Sequence, residues 1–152
     1  MAEYIVADTS VVSRLTKVSA DCAAYQRLMG DESRLAVSFQ TRAELLSFPH
    51  RYGPARRQRL DDLLNVILLL PHSEATNVWY ARVVEKRDSL RKAHQPGDGA
   101  QDADAWIISS ALEHRLALMS HDAQQVCLGR AMGLRVLTNL DGLRESNPSG
   151  PT

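Results

Sequence analysis

Short apolar runs alternate along this chain with longer stretches in which apolar residues recur every three or four positions. Tyr4-Ile5-Val6-Ala7, Leu35-Ala36-Val37-Ser38, Val66–Leu70, Leu116–Met119 and Leu134–Thr138 are the short runs. Runs of that length, apolar on both faces, predict strands of a parallel sheet covered on two sides. Between them the spacing predicts helices at Val11–Leu15, Cys22–Met29, Thr41–Phe48, about 55–65, Ser73–Lys92, Asp104–Arg115 and Ala123–Met132. Leu60, Leu63, Leu64 and Ile67 fall at i, i+3, i+4 and i+7 and give the fourth helix one apolar face. Strand and helix in alternation predict an α/β chain with three α/β/α layers and a central, mainly parallel sheet. One domain is expected over 1–140. The ending SNPSGPT has nothing to bury, so 141–152 is expected to be a flexible tail.

Right-handed crossovers bring the C-terminal end of every parallel strand to one edge, where open α/β sheets bind ligands. Asp8 follows the first strand and Asp122 follows another. Glu44 lies in the helix after Ser38, and Asp104 opens the helix DADAWIISSAL beyond the glycine loop HQPGDGAQ (94–101). Each acid has a plain alternative. Asp8, Asp104 and Asp122 suit a helix's first turn, and Thr41–Glu44 spells a capping box. Four carboxylates converging on one edge repel and raise each other's pKa values, so a cation stabilises them together. Oxygen ligands without His or Cys point to Mg²⁺ or Mn²⁺ rather than zinc. Asp102, about 200° around a helix from Asp104, is expected to cap that helix, or to join the site only if the helix starts later. His121, next to Asp122, is expected to face the surface.

Composition narrows the class without choosing a function. The 152 residues carry 18 basic and 18 acidic side chains, so no overall field draws the chain to a polyanion. The two cysteines, Cys22 and Cys127, match no zinc or CxxC spacing and suit a reducing compartment. No signal peptide is legible and the longest aliphatic run is too short to span a bilayer, so a cytoplasmic location without membrane contact is expected.

Asp8-Thr9-Ser10-Val11, Glu44 within Thr41–Leu46, Asp104-Ala105-Trp106-Ile107 leading to Ala111-Leu112, and Asp122 after Leu118-Met119-Ser120 together resemble the PIN domain. The VapC-like toxin branch is the most similar. The resemblance runs from about Ile5 to Leu137, and DAWIISSALEHRLALMSHD is its most specific part. Two departures leave every carboxylate in place: Ile108-Ser109-Ser110 stands where small residues led by alanine are commoner, and Ser120 replaces a frequent threonine. The resemblance implies a Mg²⁺- or Mn²⁺-dependent endoribonuclease, a homodimer, and a cognate antitoxin. On that reading Asp8, Glu44, Asp104 and Asp122 are the catalytic carboxylates and metal ligands, with Glu44 binding directly or through water. Thr9, Ser10 and Ser120 stand behind them. The alternatives are a catalytically inactive PIN-like binding module and a PIN nuclease of RNA processing without an antitoxin. A phosphoacceptor receiver would need a lysine near a late strand end, and a haloacid-dehalogenase phosphatase a second Asp at position 10. Neither is present.

Two further expectations concern surfaces. The acid-free cluster Arg51, Arg56, Arg57 and Arg59 is the better candidate for RNA phosphate contacts than the mixed stretch Lys86–His94. Trp79, Val83 and the Leu60–Ile67 stripe offer apolar surface for a homodimer.

Overall fold

The computed structural model describes residues 3–47 and 49–145. The expected flexible tail falls largely on residues 146–152, outside the described residues. Five strands form one sheet in the order β3-β2-β1-β4-β5, with β1 Tyr4–Ala7, β2 Arg34–Val37, β3 Leu68–Leu69, β4 Ala117–Met119 and β5 Val136–Leu137. Every pairing is parallel. Among the described residues seven helices accompany them: α1 Thr9–Leu15, α2 Ala20–Met29, α3 Phe39–Ser47, α4 Pro54–Val66, α5 Glu74–Ala93, α6 Asp102–His114 and α7 Ala123–Ala131. A 3₁₀ turn occupies Pro49–Arg51.

The two-residue period of the strands sorts the core into two layers. Ile5 and Ala7 of β1 join Leu35, Val37, Met119 and Leu137 against Val11 and Val12 of α1, Tyr25 of α2, Leu45 of α3 and Leu60 of α4. Val6 points the other way. With Ala36, Leu118 and Val136 it packs on Val83 of α5, Ile107, Ile108 and Ala111 of α6, and Val126 and Leu128 of α7. This is the three-layer arrangement the apolar runs predict.

Helix ends depart from the sequence reading for identifiable reasons. Ser38 Oγ accepts the Thr41 N–H at 3.2 Å, so α3 begins at Phe39 and the Thr41–Glu44 capping box does not form. Helix α4 continues through Val66 and takes the start of the third apolar run, leaving β3 two residues at the sheet edge. Helix α6 begins at Asp102 rather than Asp104. The surface expected to pair two chains is also altered. Val83 and Leu60 are fully buried, and Leu63, Leu64 and Ile67 pack against the core of their own chain. The stripe is therefore turned mainly toward its own chain, with Leu63, Leu64 and Ile67 half-buried.

Candidate active site

Strand order reverses at β1: the chain moves outward through β2 and β3, then returns on the other side with β4 and β5. The switch point lies between β1 and β4, where α/β sheets leave a crevice at the strand ends. A cleft of about 620 Å³ opens there, lined by Asp8, Glu44, Asp104 and Asp122 together with Arg14, Gln101 and Gln125. The four acids come from four separate elements. Asp8 caps α1, Glu44 lies on α3, Asp104 is in the first turn of α6, and Asp122 caps α7.

Asp8 forms the floor of this cleft and is 3% exposed. Its Oδ1 accepts the Val11 N–H at 2.8 Å, Ser10 Oγ lies 2.7 and 2.8 Å from its two oxygens, and Ser120 Oγ donates to Oδ2 at 2.6 Å. Burial nevertheless outweighs these donors and lifts its pKa to about 6, with the Asp104 charge adding to the rise. Asp104 is also raised, first by burial and then by the charges of Asp122 and Glu44, against the lowering Gln101 N–H bond. Its Oδ2 accepts that N–H at 2.8 Å, and its Oδ1 accepts Gln125 Nε2 at 3.2 Å. Asp122 Oδ1 accepts the Gln125 N–H at 3.0 Å. Glu44 Oε1 accepts Gln40 Nε2 at 2.9 Å. Three of the acids thus satisfy helix-start N–H groups and also line one cleft. The capping and the convergent readings hold together.

Other residues sit elsewhere than the sequence alone places them. Asp102 does not cap α6; its Oδ1 pairs with Arg87 Nη1 at 2.8 Å, away from the cleft. His121 is not a free surface residue. Its Nδ1 lies 2.5 Å from the buried Tyr25 hydroxyl, and its backbone N–H donates to Ser10 Oγ at 3.1 Å. Burial first, and the Arg14 charge second, hold its pKa below the usual histidine value. Arg56 donates from Nε to Thr16 Oγ1 and from Nη2 to Ser13 Oγ, both at 2.8 Å, and stacks on Tyr52. Arg59 Nη1 reaches Thr16 O at 3.4 Å, and Arg57 Nη2 lies 3.5 Å from Tyr52 O. Arg51, the last residue of the 3₁₀ turn, is exposed. None of these four arginines lines the cleft; among the described residues the cation that does is Arg14, missed in the sequence because it stands alone on an otherwise uncharged helix.

The glycine loop forms the rim. Arg91 Nε donates to Asp98 O at 2.8 Å and its Nη2 to Ala100 O at 3.2 Å, while Gln124 Oε1 accepts the N–H groups of Gly97 and Gly99 at 3.1 Å each. Gly97 is required at its place: its φ is +99°, and a Cβ there would sit 2.8 Å from the Leu128 backbone nitrogen.

Among the described residues, no three His, Cys, Asp or Glu side chains are gathered closely enough to hold one ion directly. The donor set is nonetheless hard oxygen, and one buried hydroxyl beside the cleft, Thr9 Oγ1, has no partner among the described residues. This set fits a hard divalent cation that keeps part of its water shell.

The PIN domain model matches residues 5–129, a span that holds all four acids. The chain belongs to the PIN domain family. No curated protein matches it significantly. Among solved structures it resembles VapBC-1 from nontypeable Haemophilus influenzae at 22% identity and a TM-score of 0.65, over 89% of this chain and 97% of that one. VapBC-5 from Mycobacterium tuberculosis, a member of the VapBC family of toxin–antitoxin systems, is 24% identical with a TM-score of 0.61, over 89% and 98%. VapBC2 from Rickettsia felis, solved bound to a DNA fragment from its promoter, is 16% identical with a TM-score of 0.65, again over 89% and 98%. At such identities the likeness is one of fold, and this PIN domain shares the α/β architecture of those chains. No helix among the described residues is long and apolar enough to cross a membrane.

Proposed function

We propose that this PIN domain is a Mg²⁺- or Mn²⁺-dependent endoribonuclease of the VapC-like branch, the toxin of a toxin–antitoxin pair. The observation that carries the reading is the gathering of Asp8, Glu44, Asp104 and Asp122 from four elements around one cleft at the switch point. Asp8, Asp104 and Asp122 would hold the ion, in part through its retained water shell, with Glu44 acting directly or through water. A bound divalent cation supplies an acidified water and offsets charge on the phosphodiester. Ser10 and Ser120 hold the Asp8 carboxylate in one orientation. Arg14, anchored by its Nη1 to Ser10 O at 3.0 Å, turns positive charge toward an RNA phosphate entering the cleft. Gly99 and Gln101 also line the cleft.

The antitoxin partner is supported by the VapBC complexes among the structural neighbours. The reading includes a cytoplasmic location and a homodimer. Val66, Leu68 and Leu69, exposed by 77, 43 and 50% at the α4–β3 edge, are the surface we assign to the dimer contact. Light scattering tests this: twice the mass of one chain at micromolar concentration is expected, and a monomer refutes it.

Cleavage of single-stranded RNA with Mg²⁺, Mn²⁺ or EDTA tests the activity. Cleavage with either metal and none in EDTA is expected. Full activity in EDTA overturns the metal-nuclease reading, and no cleavage with either metal favours a catalytically inactive binding module.

A further inference from the structure

Gln125 lies in the first turn of α7 and is fully buried, although it lines the cleft. Its backbone N–H donates to Asp122 Oδ1 at 3.0 Å, and its side-chain Nε2 donates to Asp104 Oδ1 at 3.2 Å. One residue therefore joins two of the four acids, which stand on different helices. Its Oε1 has no hydrogen-bond partner among the described residues. A buried amide oxygen left unpaired is costly, and an apolar side chain of similar length would fill this place without that cost. What the amide adds is an N–H aimed at Asp104. The reverse orientation would set Oε1 against a carboxylate oxygen, so the charge on Asp104 fixes which end of the amide faces it.

We propose that Gln125 is a positioning residue: it holds Asp104 at a fixed spacing from Asp122, so that both carboxylates are in place before a cation enters. This rests on the metal-nuclease reading above. Asp104 is gripped from two sides, at Oδ2 by the Gln101 N–H of its own helix start and at Oδ1 by Gln125 from α7. Without the second grip only the local capping bond remains, and rotation of the carboxylate about χ2 is released. The buried residues Val126, Leu128 and Gly129 hold α7 in place independently, so the loss falls on the site rather than on the fold.

The test uses Gln125→Met and Gln125→Leu in the full chain, with Mn²⁺ affinity measured by calorimetry, metal-free melting curves, and kcat and KM on single-stranded RNA. Mn²⁺ binding weakened about 10-fold or more is expected in both variants. The metal-free melting temperature should be unchanged or higher, because the orphaned oxygen is gone. KM for RNA should hold while kcat falls at limiting Mn²⁺ and recovers at excess. A lowered melting temperature with unchanged Mn²⁺ affinity overturns the proposal, as does loss of the thermal transition in both variants. Wild-type protein that binds no Mn²⁺ refutes the underlying metal reading; wild-type binding that both variants retain in full refutes only the role of Gln125.

Discussion

The Ser120 hydroxyl donates to Asp8 Oδ2 at 2.6 Å across 112 residues of chain, linking the ends of the adjacent parallel strands β1 and β4. A donor to the charged form favours ionisation, and it works here against the burial that lifts Asp8 to about 6. Ser120→Ala removes that donor and leaves a small cavity. The Asp8 pKa should then rise further, so that at neutral pH a larger share of the metal-free protein carries a proton where a cation would bind. We expect Mn²⁺ affinity at pH 7 to fall about 10-fold and to recover as pH is raised. Titrations at pH 6, 7 and 8 check it; a loss of affinity independent of pH contradicts the account.

The raised pKa of Asp8 also fixes the sign of a stability change. Its folded value of about 6 lies above the ordinary 3.8, so the fold favours the protonated acid. That contribution is fully present below about pH 4 and is lost as pH rises through 6. A shift of roughly two units corresponds to about 3 kcal/mol. Asp104 is shifted in the same direction. Metal-free protein should therefore lose stability between pH 4 and pH 7, and Asp8→Asn should flatten much of that slope. Added Mn²⁺, which favours the ionised acids, should raise the melting temperature more at pH 7 than at pH 5. Melting curves across this range, with and without Mn²⁺, decide it.

The layers of the fold are legible in the sequence because the central strands are covered on both faces and appear as short, mainly apolar runs, although β2 opens on the exposed Arg34 and the run that holds β5 contains Arg135. The strand ends then place Asp8 and Asp122 at one edge with no knowledge of contacts between them. Legibility fails where a side chain has a long-range partner. Asp102 looks like a cap, but the buried Arg87, fifteen residues earlier on α5, claims it. Arg56 looks like part of a free basic patch until Ser13, Thr16 and Tyr52 surround it. Glu44 moves into the second turn of its helix because Ser38, not Thr41, accepts the capping bond. Gln125 carries no charge and no motif; only its place three residues after Asp122 marks it, at the turn where a helix N–H meets its cap.

The two arginines Arg14 and Arg56 should separate cleanly on substitution. Arg56 ties α4 to the end of α1 through two 2.8 Å bonds and the Tyr52 ring. Arg56→Ala should cost about 1–3 kcal/mol of stability, with RNA affinity per folded molecule little changed. Arg14 is about one-third exposed, and its contact with Asp21 is a long 3.5 Å pair at the surface. Arg14→Gln should melt near the wild-type temperature, bind RNA more weakly, and flatten the dependence of binding on log salt by about 0.7, the loss of one phosphate contact on a single strand. An unchanged salt slope in Arg14→Gln removes it from the substrate path.

Asp8→Asn tests capping against metal binding in one substitution. Asparagine caps a helix about as well as aspartate, so the bond from the Val11 N–H is retained. The charge that would hold a cation is lost, together with its repulsion from Asp104. Cleavage of single-stranded RNA should fall by orders of magnitude, while metal-free stability at pH 7 holds or rises. A capping role alone predicts the opposite: near-normal activity in Asp8→Asn, and Asp8→Ala losing roughly 0.5–2 kcal/mol. Asp104→Asn and Asp122→Asn should behave like Asp8→Asn, since both acids line the same cleft. Asp102→Asn should leave cleavage nearly intact and register instead as lost stability, because its partner is Arg87 and not the cleft. Full activity of Asp8→Asn with Mg²⁺ or Mn²⁺ present would end the assignment of this carboxylate to the metal.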